Sequence, residues 1–349
     1  MDKDPAVGLE SRLREMFEGL AGAPREVLPS KYWEDLNRKN LAQLEGDGYS
    51  GFKRTLARNY FTWLVSPFDA QIKFLRGRLG VGTVWGSALR SLFGGSHPPL
   101  SWAQSLSYSF LTRLLWEHAL REAPGLLETL EEPAEGNPPR LFRKGRLISQ
   151  DLANSALEYR SILAPELDRG QVKTILELGP GYGRTAFVFL TLMPSVRYLL
   201  ADIPPALGVS ERYLTTLFPG RRTFRFRPFR AYDEVRDEFE KAEIAFLLPH
   251  QLELLPEKSA DLFINISSLH EMRMDQIRYY FRLIPRVVRK YCYLKQWKES
   301  KIPLEDLVIR EGDYPVPAEW RRIFWRVCPV QDYFFEALLE LPSAPADRL

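Results

Sequence analysis

Cysteine is almost missing from this chain: two residues, Cys292 and Cys328, stand among 349. They lack metal-ligand spacing, which excludes a thiolate metal centre, and Cys292 lies in an apolar strand pattern as a reduced core residue. An excess of one charge is missing too. With 48 basic and 45 acidic residues, the chain has no global footprint for nucleic acid or a membrane surface. No apolar run approaches the roughly 20 residues that cross a bilayer. The opening M-D-K-D-P-A-V-G has no apolar segment of the signal-peptide kind. A soluble, cytoplasmic protein is the expectation. Internal repeats are absent as well. What is present is a hydrophobic share of 45%, enough for a full core, in a chain long enough for two units.

The clearest compositional break is E-E-P-A-E-G-N-P-P-R at 131–140, read as a linker from its prolines and glycine. Before it, residues 1–140 are rich in helical patterns and aromatics, among them Trp33, Phe52, Tyr60, Phe61, Trp63, Trp102, Tyr108, Phe110 and Trp116. After it, over 141–349, strands and helices alternate, which predicts a parallel sheet wrapped by helices. The strands are expected at 174–178, 196–201, 244–248, 261–266 and 291–297, with 322–327 and 333–339 forming a terminal antiparallel hairpin. Ile277, Tyr280, Phe281, Ile284 and Val288 recur at helical spacing after an expected Asp275 N-cap, and Pro285 should bend that helix.

The most informative stretch is T-I-L-E-L-G-P-G-Y-G at 174–183. An apolar run ends in an acid, and three glycines follow at alternate positions before a helical pattern. That predicts a buried strand turning tightly into a helix, with backbone N–H groups brought close to a ligand. A dinucleotide fingerprint would place its third glycine where Arg184 stands. The next strand ends in Asp202, 19 residues past Gly183, placed to accept hydrogen bonds from ribose hydroxyls.

This pairing resembles the class I S-adenosylmethionine-dependent methyltransferases, whose first motif is E/D-x-G-x-G-x-G with a ribose-binding acid after the second strand. The strings D-I-P-P-A-L (202–207), I-A-F-L-L-P-H-Q-L (244–252), I-N-I-S-S-L-H-E-M (264–272), K-Y-W-E-D-L-N-R-K-N (31–40) and F-K-R-T-L-A-R-N-Y-F (52–61) further resemble a bacterial family of sugar O-methyltransferases. The likeness runs from about residue 30 almost to the C-terminus. It implies a doubly wound, seven-stranded α/β sheet of the Rossmann-like class I methyltransferase type, with a helical N-terminal lid. It implies S-adenosylmethionine as cofactor. Glu177 would balance its ammonium, and Gly179, Gly181 and Gly183 would pass close to its methionine and ribose parts. Asp202 would hold the ribose and Ile203 pack on adenine. His250 and Gln251, in the loop after the third strand, would reach the adenine edge, and Asn265 and Ile266 would border the methyl group.

A sugar hydroxyl needs a general base. His270 is the favoured one, since an unperturbed histidine is neutral at cellular pH, and Glu271 is the other candidate, as base or as the group orienting the imidazole. Lys295, closing the fifth strand, is a candidate acceptor-site residue, with Lys53, Asn59 and Tyr60 in the lid. The absence of a carboxylate cluster after strands four and five predicts no metal site. R-R-T-F-R-F-R-P-F-R at 221–230 reads as an edge segment, phenylalanines inward and arginines in water; its other reading is a surface for phosphorylated acceptors, with RNA disfavoured by the overall charge balance. Two rivals stay open: methylation of another small molecule, such as an amine or amino acid derivative, and a cofactor-binding scaffold without turnover. A homodimer is compatible with exposed lid aromatics.

Overall fold

A computed structural model describes residues 5–54 and 102–342. Asn59, Tyr60, Phe61 and Trp63 therefore lie outside the described residues. In chain order come helices α1 (Pro5–Ala21), α2 (Lys31–Asp47) and α3 (Trp102–Glu122), the two-residue strands β1 (Phe142–Arg143) and β2 (Arg146–Leu147), and helix α4 (Gln150–Ile162). Then follow β3 (Thr174–Leu178), α5 (Arg184–Leu192), β4 (Arg197–Ala201), α6 (Ala206–Leu217), β5 (Thr223–Phe224), α7 (Arg236–Lys241), β6 (Ile244–Leu247), β7 (Ala260–Ile266) and α8 (Met274–Val287). The chain closes with β8 (Val288–Trp297), a hairpin of β9 (Glu299–Ile302) and β10 (Leu307–Arg310), then β11 (Arg321–Val327) and β12 (Phe334–Glu340).

One sheet organises the molecule, in the order β11-β12-β8-β7-β3-β4-β6-β5. Strands β5 to β8, with β3 and β4, pair in parallel, and β12 runs antiparallel between β8 and β11. This is the expected doubly wound, Rossmann-like sheet with its terminal hairpin, enlarged from seven strands to eight. The added strand is β5, inside the arginine-rich segment. Phe224, Phe226 and Phe229 are buried there, while Arg221 pairs with Glu243 and Arg227 with Glu238. The segment thus covers the sheet edge with its aromatics and turns its charges outward.

The central strands are buried along their whole length, Ile244–Leu247 and Ala260–Ile266 included, as strands covered on both faces must be. Side chains alternate between two cores. Ile175, Tyr198, Leu200, Ile264 and Tyr293 meet α1, α3, α4, α5 and α6. Leu176, Leu199, Phe263 and Cys292 meet α7 and α8. Helix α8 begins one residue after Arg273, not at Asp275: the Gln276 side chain accepts from the Arg273 N–H at 3.1 Å, and Asp275 sits in the first turn paired with Arg273. Pro285 falls in its last turn, two residues before the helix ends at Val287, where it cannot donate the usual bond to the Phe281 carbonyl.

Chain reversal puts β4 on one side of β3 and β7 on the other, which opens a crevice at the carboxyl ends of these strands. The segment 131–140 holds no helix or strand, yet it is tied into the core. Glu132 is buried and bonded to Lys53 Nζ and Ser149 Oγ. Gly136 takes φ +80°, and a Cβ there would lie 2.4 Å from the Phe52 ring. Phe52 cannot retreat, because it is wedged against Tyr49, Tyr182 and Tyr213 with centroids 5.1 to 5.6 Å away. Gly136→Ala should therefore cost about 2–4 kcal/mol from left-handed backbone strain and overpacking. Urea denaturation measures it, and an unchanged midpoint would contradict the packing described.

Candidate functional site

The loop after β3 is shaped by its glycines. Gly179, Gly181 and Gly183 have φ of +71°, +59° and +89°, values open to glycine and strained for other residues. A Cβ on Gly179 would lie 2.4 Å from Ser268 Oγ, whereas one on Gly181 would meet nothing within 4 Å. Gly179 is thus needed for loop packing, and Gly181 faces open space. Gly183 caps α5 in the left-handed conformation. Between them Tyr182 is buried, its hydroxyl donating to Asp151 Oδ2 at 2.8 Å. Tyr182 has no counterpart among the sequence-level candidates; its place between two glycines is the only signal the sequence carries.

Asp202 closes the loop from β4. Its Oδ2 accepts from the Gly181 N–H at 3.0 Å and its Oδ1 from the Ile203 N–H at 2.8 Å. Burial pushes its carboxyl up to about 7 against the pull of those two N–H groups. Gly179, Gly181, Asp202 and Ile203 share one cleft of about 720 Å³. Its other walls come from Pro249, from Ile266–Ser268, from Glu271 and Met272, and from Gln276 and Tyr280 on α8.

A strap from the N-terminal region covers this cleft with Val27, Pro29, Ser30 and Trp33. Arg273 gathers it by donating to the carbonyls of Arg25 (2.7 Å), Leu28 (3.4 Å) and Pro29 (3.3 Å). Gln276 Nε2 adds a bond to Leu28 O at 2.9 Å, and Ser30 Oγ donates to Glu271 O at 3.2 Å. Tyr32 of the same strap packs against the core on the α8 side of the sheet, and the charge of Glu271 pushes its phenol up.

Other sequence-level candidates stand behind the cleft. Glu177 is buried on the opposite sheet face, accepts from Tyr198 OH at 2.8 Å, and is pushed up to about 7 by burial. Gln251 is turned inside: it accepts from the Leu248 N–H at 2.8 Å and donates to Arg227 O at 2.9 Å, so it fixes its own loop. His250 beside it is partly buried, and the cleft meets Pro249 instead. Asn265 spends its whole amide. It donates to Leu178 O (2.8 Å) and Ser268 Oγ (2.7 Å), and accepts from Leu269 N (3.2 Å) and Gln296 Nε2 (2.6 Å). It thereby locks the loop after β7 against the glycine loop.

The pair after β7 divides. His270 is 1% exposed and stacks on Trp297 with centroids 4.8 Å apart. Its Nδ1 lies 3.0 Å from Gln296 Oε1, and because Gln296 Nε2 donates to Asn265, that oxygen must receive the Nδ1 proton. Burial pushes the imidazole down to about 3. Glu271 lines the cleft, 3.8 Å from His270 Nε2, and burial pushes its carboxyl up to about 8. Of the two expected bases, the group facing the cleft is Glu271.

Lys295 and Lys53 are both buried in ion pairs. Lys295 Nζ bonds Glu158 Oε1 at 2.8 Å, and Glu158 also takes Arg184 at 2.5 Å, which explains why an arginine follows the third glycine. Lys53 Nζ binds Glu132 and sits 4.7 Å from the Tyr213 ring centre. Among the described residues, no group of three or more His, Cys, Asp or Glu side chains could hold a metal ion, and no helix is long and apolar enough to cross a membrane.

No family model and no curated protein matches the chain. Among solved structures, it is similar to a SAM-dependent methyltransferase from Aquifex aeolicus, 13% identical over 55% of this chain and 92% of that one, with TM-score 0.34. It is similar to the mitomycin 7-O-methyltransferase MmcR at 14% identity over 82% of this chain and 75% of that one, TM-score 0.36. The glycopeptide N-methyltransferase MtfA, complexed with S-adenosyl-L-methionine, is 13% identical over 58% of this chain and 100% of that one, TM-score 0.34. The fold itself rests on the strand order described above.

Proposed function

We propose that this protein transfers a methyl group from S-adenosylmethionine to a hydroxyl of a sugar or glycosylated small molecule. One observation carries the reading: Gly181, with open space where a side chain would be, is tied by its N–H to the Asp202 carboxylate at the mouth of a roofed cleft. Such a joint suits a ribose. Each carboxylate oxygen has a second lone pair for a ribose hydroxyl once the loop N–H is satisfied. Ile203 and Trp33 would pack on the base, and Gly179 and Gly181 would allow close backbone approach. Gly183, Glu177, His250, Gln251 and Asn265 would shape the walls around it.

S-adenosylmethionine, when bound, supplies a methyl carbon already activated by a sulfonium. The remaining work falls to this chain: to exclude water, align the acceptor and remove its proton. The strap 27–33 supplies the roof. Glu271 takes the hydroxyl proton, since its raised pKa matches a base working near neutral pH, while His270 buttresses the loop through Trp297 and Gln296. The test is incubation of the protein with S-adenosylmethionine and a panel of monosaccharides, nucleotide sugars and amines. S-adenosylhomocysteine should form with at least one hydroxyl acceptor. Release with amines alone would overturn the acceptor class, and release with none would overturn the activity.

A further inference from the structure

Asn154, Glu158 and Ser161 follow one another on α4 at steps of four and three residues, so they share one helix face. That face looks onto a groove of about 1080 Å³, whose opposite wall includes Lys295, Phe324, Arg326 and Glu336 from β8, β11 and β12. The groove and the cleft share no lining residue. The apolar residues of α4, Leu152, Ala153, Ala156, Tyr159 and Ile162, pack in the core, and beside them the helix turns this row of polar groups to the groove.

Most of that row is satisfied internally. Glu158 holds Lys295 and Arg184. Glu336 accepts from Ser161 Oγ (2.9 Å), Tyr293 OH (2.9 Å) and Arg326 Nε (2.7 Å). The exception is Asn154, 5% exposed, whose amide makes no hydrogen bond and lines the groove. The residue is nearly buried, yet its amide opens to solvent through the groove, which leaves a donor and an acceptor free for a ligand. Both buried carboxylates of the groove, Glu158 and Glu336, are matched by cations, so no surplus charge calls for an anion. What remains is a neutral donor–acceptor amide flanked by carboxylate and guanidinium edges, with Leu157 and Phe324 as apolar wall. A neutral ring carrying several hydroxyls fits that set.

We propose that this groove binds a saccharide, with the Asn154 amide as its central hydrogen-bonding contact. The proposal adds a saccharide site outside the cleft and rests on the sugar-acceptor reading for the ligand's chemical class; the groove's geometry stands independently. Saturation-transfer NMR on the full chain, with D-glucose, D-galactose and L-rhamnose and no nucleoside present, tests it. At least one sugar should give a signal, and Asn154→Leu should weaken that sugar's affinity at least tenfold. The variant should melt at or above the parent temperature, because no protein hydrogen bond is lost. Asn154→Ala, which adds no bulk, provides the same reading should leucine disturb folding. Silence from all three sugars, or parental binding in both variants, overturns the proposal. Titration of S-adenosylhomocysteine into the parent protein reports on the cleft alone, so failure of the methyl-transfer reading is seen separately.

Discussion

Glu271→Gln is expected to lower turnover by about two to four orders of magnitude, the usual contribution of a general base, while leaving S-adenosylhomocysteine affinity within a few-fold of the parent. Glutamine keeps the size and the hydrogen-bonding reach of the side chain and removes only its ability to take a proton. The sign of the pH dependence follows from the same residue. Burial holds the Glu271 carboxyl at about 8, so at pH 7 only roughly a tenth of molecules carry the carboxylate. Turnover should therefore rise with pH through about 8 and then level. His270, pushed down to about 3, stays neutral across that range and contributes no inflection. Steady-state rates from pH 6 to 9 measure this. A profile that is flat, or a glutamine variant with parental turnover, would remove Glu271 from the chemistry.

The second large effect belongs to Asp202. Asp202→Ala removes the proposed ribose acceptor and also the partner of the Gly181 N–H. A hydrogen bond to a charged group is commonly worth about 1.5–3 kcal/mol, so cofactor affinity should fall by about ten- to hundredfold. Isothermal titration calorimetry reads the change directly. Asp202→Asn keeps an acceptor oxygen and should fall between the alanine variant and the parent. Equal affinity in alanine variant and parent would sever Asp202 from the nucleoside.

Much of the architecture is legible in the sequence because it is written in short, largely apolar runs. The runs at 174–178, 244–248 and 261–266 read as strands buried on both faces, and the glycines at 179, 181 and 183 announce the turn from the first of them into a helix. The strand β5 is legible only as an edge segment, from phenylalanines alternating with arginines; its short pairing with β6, Thr223 with Ile244 and Phe224 with Ala245, is set by the fold. The candidate site divides in the same way. Asp202 and the glycines act through local geometry, so spacing suffices to find them.

Gln251, Asn265, Lys53 and Lys295 carry the right chemistry but are claimed by partners remote in sequence: Arg227 O, Leu178 O, Glu132 and Glu158. Polarity alone does not tell a residue that meets a ligand from one that satisfies a buried carbonyl. His270 shows the point most clearly, because its burial depends on Gln296 and Trp297 two strands' length away. The strap is equally hidden. Arg273 reaches back 248 residues to Arg25 O, and no pattern near either residue signals that contact.

The central claim is that a sulfonium nucleoside lies beneath the strap 27–33, on the open backbone of Gly181, with its ribose on Asp202. A crystal structure of the protein with S-adenosylhomocysteine tests it most directly. The expected density places both ribose hydroxyls within hydrogen-bonding distance of the Asp202 carboxylate and the base between Ile203 and Trp33. A nucleoside bound at any other place, or a cleft that stays empty at saturating ligand, would contradict the account.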